Sequence, residues 1–246
     1  MGRIGRTLDE AGDHERDTDR ESAGARYDGV ADWFDHYVSD GGARHITSWA
    51  QELLTRLLGT GAGWCLDLGC GSGVHIDTIR SLGWQPIGVD VSADQLRVCR
   101  QRRSEQDLVN ATADRLPLRD GSVAAVATVM TATDFDDLGE VICEAARVLA
   151  PGGRLVVVTA HPCFGGSFVT REQDGAVTVH PGYRQVRRIE EHLLLGDGIR
   201  SRVGTVNVPL AHLFQAILHA GLQISGVQED RGPAEVPHLL GVSATG

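Results

Sequence analysis

The chain has 246 residues, 41% of them hydrophobic and 23% charged, which suits one well-buried α/β domain with modest additions and excludes a disordered or fibrous chain. Its net charge is −10, and all 23 basic residues are Arg because the sequence contains no Lys. That acidic balance repels a phosphate backbone and argues against nucleic acid as a partner, while apolar runs far shorter than the roughly 20 residues of a membrane helix argue against a membrane.

Up to about Arg26 the chain alternates Asp, Glu and Arg with hardly any large apolar residue, so it reads as a disordered tail or a loosely held lid. No apolar signal core is present there, and a cytoplasmic protein is expected. From Val30 the apolar positions Val30, Trp33, Phe34 and Tyr37 keep helical spacing, as do Ile46, Trp49, Leu53, Leu54 and Leu57, so two helices precede the first strand. Short strand-like runs then alternate with helical periods: 64–68, 86–90, 108–111, 123–130 and 153–160. Such alternation implies a mostly parallel, doubly wound sheet.

Leu138, Val141, Ile142, Ala145 and Leu149 mark an amphipathic helix that Pro151-Gly152-Gly153 ends. Near the C-terminus, Pro209 opens a helix whose buried face is Leu210, Leu213, Phe214, Ile217 and Leu218, closed by Gly221 before the apolar Leu222 and Ile224. The stretch 162–207 has no clean period and is expected as a cap or an antiparallel extension beside the sheet, within a single domain over 27–246. The five cysteines form no CxxC pair and no zinc-like spacing, which fits a reducing setting and no metal site.

The segment Leu66-Asp67-Leu68-Gly69-Cys70-Gly71-Ser72-Gly73 leaves the first strand and enters a helix containing Ile76 and Ile79. Glycines there suit either a tight strand-to-helix turn or the close approach of a ligand to the backbone. A dinucleotide fingerprint spaces its glycines G-x-G-x-x-G, and here the third comes one position early at Gly73. No Gly-Lys-Ser or Gly-Lys-Thr ending marks a P-loop, and no Arg in the loop meets a phosphate.

Acids stand at the strand ends instead: Asp67 in the loop, Asp90 17 positions after Gly73, and Asp114 after the third strand. Carboxylates accept hydrogen bonds from an ammonium and from ribose hydroxyls, the donors of S-adenosylmethionine, which carries a sulfonium and no phosphate. Asp90 stands where an acid holds the ribose diol in nucleotide-binding sheets, and Asp67 near the methionine ammonium.

Four blocks in order carry a resemblance: the glycine loop; Ile87-Gly88-Val89-Asp90-Val91-Ser92; Ala113-Asp114-Arg115-Leu116-Pro117 running to Ser122; and Ala146-Arg147-Val148-Leu149 running through Pro151-Gly152-Gly153 to Leu155. Together they closely resemble the class I methyltransferases of the UbiE-like, type 11 group. The resemblance covers roughly 27–160 and includes Tyr27-Asp28-x-x-Ala31-x-x-Phe34-Asp35, similar to that group's N-terminal Tyr-Asp box.

What it implies is a Rossmann-like fold and S-adenosylmethionine as cofactor, with S-adenosylhomocysteine as product. Asp67, Gly69 and Gly71 would contact the methionine part, Asp90 with Val91 the ribose, and Asp114 the adenine amino group. Leu116 or its neighbour Arg115 would line the base pocket, and Met130 would pass under the cofactor. Tyr27 and Tyr37 would close over the methionine end, with a core role equally open for Tyr37. His75 either meets the carboxylate or lies exposed. The chain departs from the group after strand four, where Thr131-Ala132-Thr133-Asp134-Phe135 replaces a His-containing segment, and at Ala124, where Asp is common.

In doubly wound sheets the reacting end lies beyond the strand carboxyl ends, here 131–135 and 161–166. Two catalytic candidates stand there. His161 is either a general base or a residue that turns the chain, and Asp134 is either a base or the cap of the helix starting near Asp137. The aromatic supply suffices to wall an apolar pocket, so a small, largely apolar acceptor is expected, methylated on oxygen, nitrogen or carbon. The all-Arg, Ala- and Gly-rich composition resembles that of high-GC bacteria, whose enzymes of this kind often act in specialised metabolism. A protein acceptor, or a fold that binds the cofactor without transferring methyl, stays open, as does a monomer or a homodimer.

Overall fold

The computed structural model describes residues 25–172, 175–190 and 198–246, so most of the tail expected over 1–26 lies outside the described residues. One seven-stranded sheet organises the chain. Its strands are β1 (Trp64–Leu68), β2 (Gln85–Asp90), β3 (Leu108–Asn110), β4 (Val123–Val129), β5 (Leu149–Ala160), β10 (Gln223–Glu229) and β11 (Leu239–Thr245), in the order β3-β2-β1-β4-β5-β11-β10. The first five pair in parallel, and β11 runs antiparallel between β5 and β10. Strand order reverses between β1 and β4, the switch point where such sheets open a crevice for ligands.

The largely apolar β4 and the Leu155–Val158 part of β5 follow from burial on both faces. Val126, Leu155 and Val157 face a core built with the helix α5 (Leu138–Val148) and the helix α7 (Leu210–His219). Ala125, Ala127, Val129, Val156 and Val158 face the opposite core, built on the helix α2 (Arg44–Leu58) through Ala50, Leu53, Leu54, Leu57 and Leu58. Each fully buried Leu contributes about 1.5–3 kcal/mol relative to an exposed one. Asp137 caps α5 by accepting from the Glu140 amide at 3.1 Å, which releases Asp134 from the capping role the sequence left open.

Three expectations change. Leu218 is 55% exposed, because it falls at the rim of the stripe set by Leu213 and Ile217. On the helix α1 (Ala31–Ser39) the buried residues are Ala31 and Asp35, while Trp33, Phe34 and Tyr37 are only half-buried. β11, which the sequence did not announce, fills the place between β5 and β10.

The described part of 162–207 is a cap rather than an extension of the main sheet. It holds the two-stranded pairs β6 (Val169–Arg171) with β7 (Val177–Val179) and β8 (Arg188–Ile189) with β9 (Thr205–Val206), and a one-turn helix α6 (Arg200–Val203). Backbone bonding fastens it to the loop after β4, where Val206 N donates to Thr133 O at 2.6 Å. Arg188 adds a bond to the Asp134 carbonyl at 2.9 Å and an ion pair with Asp136 at 2.8 Å.

Candidate active site

The glycine loop takes backbone angles that L side chains avoid. Gly69, Gly71 and Gly73 have φ of 75°, 52° and 81°. A methyl on Gly69 would stand 2.7 Å from Thr131 Cγ2, and one on Gly73 2.5 Å from Cys99 Sγ, so both positions need a bare backbone. The loop is tied to β2: Gly69 and Cys70 donate to Val89 O at 2.8 and 3.0 Å, and Gly71 N donates to Asp90 Oδ2 at 2.8 Å. Ser92 N donates to the other oxygen of Asp90 at 2.8 Å, so the carboxylate is aimed before any ligand arrives. Burial pushes the Asp90 carboxyl above the ordinary range, against the pull of these amide bonds.

Ser92 also caps the helix α4 (Ala93–Arg102), accepting from Gln95 N at 3.2 Å while donating to Asp28 Oδ1 at 2.6 Å. With Gly29 N on Asp94 at 2.8 Å, an Arg97–Asp32 pair at 2.6 Å and an Arg102–Asp35 contact, these bonds bolt the N-terminal segment to α4. Asp28 is thus an anchor. Its neighbour Tyr27 turns inward, stacks edge-on against Phe34 with centroids 5.3 Å apart, and donates its hydroxyl to Asp134 Oδ2 at 3.2 Å.

A cavity of about 700 Å³ lies between this segment, the carboxyl ends of the strands and the cap. Its lining includes Asp114, Asp90, Gly69, Gly71, Met130, Asp134, Tyr27, Tyr37 and Arg200. Met130 has φ of 63°, the only non-glycine in the left-handed region among the described residues. Its strain, on the order of 1 kcal/mol or more, is held by its amide bond to Val158 O at 2.7 Å. Asp134 is pushed up to about 7, chiefly by burial and against the lowering bond from Tyr27. The Tyr27 hydroxyl rises well above its usual value, again mainly by burial and then by the charge of Asp134.

Of the residues nominated from sequence, Tyr27, Tyr37, Gly69, Gly71, Asp90, Val91, Asp114, Met130 and Asp134 line this one cavity. Four others do not. His161 is buried away from it, its Nε2 on Glu229 at 3.1 Å and its Nδ1 accepting from Cys163 N at 3.2 Å, so both ring nitrogens hold the turn after β5. Asp67 points from β1 into the interior, 1% exposed, with Oδ2 unpartnered and its carboxyl pushed up to about 7 by burial and then by Asp90. Leu116 belongs to the α5 core, and its amide is taken by Glu144 at 2.7 Å. Arg115 borders a separate shallow depression with Glu144 and Arg147.

Sequence reasoning missed Gln95, Ser72 and Arg200, and left His75 open. Ser72 Oγ, His75 Nδ1 and both amide atoms of Gln95 are buried without partners, and all three residues line the cavity. A polar ligand or an ordered water satisfies such atoms, each of which otherwise costs about 1–3 kcal/mol. Among the described residues the lining carries six carboxylates, on Asp90, Asp114, Asp134, Asp136, Asp137 and Glu140, against the three guanidiniums of Arg26, Arg188 and Arg200. A phosphate-free cation with hydroxyl and amino donors fits that set, and a dinucleotide does not.

The fold is Rossmann-like, of the kind class I methyltransferases have, with its crevice at the switch point of the sheet. Residues 66–157 match the family model described as a methyltransferase domain. A demethylmenaquinone methyltransferase of Tropheryma whipplei (strain Twist) is 36% identical over 111 residues, which is 44% of this chain and 46% of that protein. The chain therefore spans about half the length of the curated relatives it matches.

Among solved structures, an S-adenosylmethionine-dependent methyltransferase from Mesorhizobium loti superposes with a TM-score of 0.67 at 21% identity, over 83% of this chain and all of that one. The 1,6-didemethyltoxoflavin-N1-methyltransferase of Burkholderia thailandensis, solved with that acceptor and S-adenosylhomocysteine, gives 0.59 at 14% identity over 98% of this chain and 92% of that one. Both show the fold.

Proposed function

We propose that the protein binds S-adenosylmethionine and transfers its methyl group to a small, largely apolar molecule, with S-adenosylhomocysteine as product. One observation carries the reading: one cavity is lined both by the glycine loop and Asp90 and by the apolar Phe34, Ile46, Val203 and Leu239 together with Asp134. The cofactor supplies an activated methyl on its sulfonium, so the chain's own contribution is largely positioning. Asp90 and Val91 hold the ribose, Asp114 meets the adenine amino group, and the backbone at Gly69 and Gly71 admits the methionine part. Asp134, with a carboxyl near neutrality and Tyr27 fixing one oxygen, takes the proton of a hydroxyl or protonated amine acceptor.

The T. whipplei and B. thailandensis relatives are both named for small-molecule acceptors, which supports the same class here, as does the acidic lining against nucleic acid. No described helix is long and apolar enough to cross a membrane. Specialised bacterial metabolism is the setting we favour. The test is calorimetric titration with S-adenosylmethionine and, separately, with NAD, followed by a panel of aromatic hydroxyl, amine and carboxylate acceptors read by release of S-adenosylhomocysteine. Micromolar binding of the first alone, with turnover on some panel member, is expected. Preference for NAD overturns the cofactor, and tight binding without turnover across the panel favours a non-transferring protein.

A further inference from the structure

Among the described residues three guanidiniums line the cavity, and two of them share one carboxylate: Arg26 and Arg188 both pair with Asp136, at 3.1 and 2.8 Å. Arg200, on the cap, donates to the Gly165 carbonyl at 3.0 Å and has no carboxylate within ion-pair distance among the described residues. The imidazoles cannot substitute for it, since burial holds both His75 and His238 below the usual range and therefore neutral. A half-buried cation with no carboxylate at ion-pair distance is costly unless a ligand brings one.

Position says which anion. The charge of Arg200 acts on Tyr27, Tyr37 and Asp134, and the hydroxyl of Tyr37 reaches the same strand of cap beside Gly198. The charge of Asp90 also acts on Tyr27 and Asp134, so Arg200 shares its neighbours with the ribose position. With the adenosine half held at Asp90 and Asp114, the amino-acid half of the cofactor extends toward these rings. Its ammonium finds carboxylates in plenty, but its carboxylate needs a cation, and of the three guanidiniums on the described lining Arg200 is the one not paired with a described carboxylate.

Resting on the cofactor assigned above, we infer that Arg200 is the residue that pairs with the methionine carboxylate, so that the insertion after β5 forms part of the cofactor site and not only of the acceptor site. Arg, with its planar fork, suits a two-pronged bond to that group. The cap then closes on the cofactor through a charge contact, and a cofactor lacking the carboxylate is discriminated against.

The test is a cycle of residue against ligand group. Affinities of S-adenosylmethionine and decarboxylated S-adenosylmethionine, which keeps the sulfonium and ammonium, are measured for the wild type, Arg200→Gln and Arg200→Lys. Wild type is expected to prefer the carboxylated form by about tenfold to a hundredfold, the scale of a charged hydrogen bond. Arg200→Gln removes that preference while leaving the decarboxylated form bound as before, and Arg200→Lys keeps part of it. A wild type without the preference, a Gln variant that retains it, or equal loss of both ligands in the variant overturns the assignment. Failure of wild type to bind either ligand strikes instead at the cofactor itself.

Discussion

Single residues here act through charge in a dry place. Asp90 is aimed by two amides and faces the cavity, so Asp90→Ala is expected to weaken S-adenosylmethionine binding by about 1.5–3 kcal/mol, roughly tenfold to a hundredfold in Kd, by titration calorimetry. Asp67 and Asp134 have carboxyls raised from 3.8 to about 7, largely by burial. Through these two acids the folded chain keeps protons between about pH 4 and pH 7 that the unfolded chain has released, a contribution lost as pH rises through that window, whereas His75, held at about 4 by burial, works in the opposite sense below its ordinary 6.5. Melting temperature is therefore expected to fall between about pH 6.5 and pH 8, above the histidine range, and Asp67→Asn to flatten that fall. A cationic cofactor favours the ionised acids, so its affinity should rise over the same interval, with proton release visible as a buffer-dependent heat.

At the scale of elements, the decisive unit is the segment from Tyr27 through α1. Its aromatic positions have the spacing of a core-facing stripe, yet the structure puts Phe34 and Tyr37 on the cavity and Trp33 under Arg202, while polar bonds to α4 hold the segment in place. Ser92 is the hinge of that arrangement, capping α4 and gripping Asp28 with one hydroxyl. Ser92→Ala is expected to cost about 1–2 kcal/mol in urea unfolding and to weaken cofactor binding as well, since Tyr27 follows Asp28 out of place. Loss of stability with cofactor affinity unchanged would separate the anchor from the site. The amphipathic period of α5 was legible because one whole face meets the sheet. That of 162–207 was not, because its pairs are two or three residues long and are held mainly by the loop after β4.

For the molecule as a whole, the cavity is assembled from three parts distant in sequence: the N-terminal segment, the strand ends and the cap. A ligand that touches all three stabilises the entire fold. At a concentration of about 100 Kd, S-adenosylhomocysteine is expected to add about 2.7 kcal/mol and raise the melting temperature by roughly 5–10 °C, with NAD giving no shift. The sequence by itself determined the parallel sheet, the glycine loop and the acids at Asp90 and Asp114, because strand-helix alternation and a bare, turning backbone are local properties written in neighbouring residues. Only the tertiary structure decided that His161 is spent on Glu229, that Asp67 points into the interior, that Tyr27 meets Asp134 across 107 positions, and that the cap brings Arg200 to the site. Which nitrogen, oxygen or guanidinium remains free depends on the partners the fold delivers from far along the chain, and no local pattern encodes that.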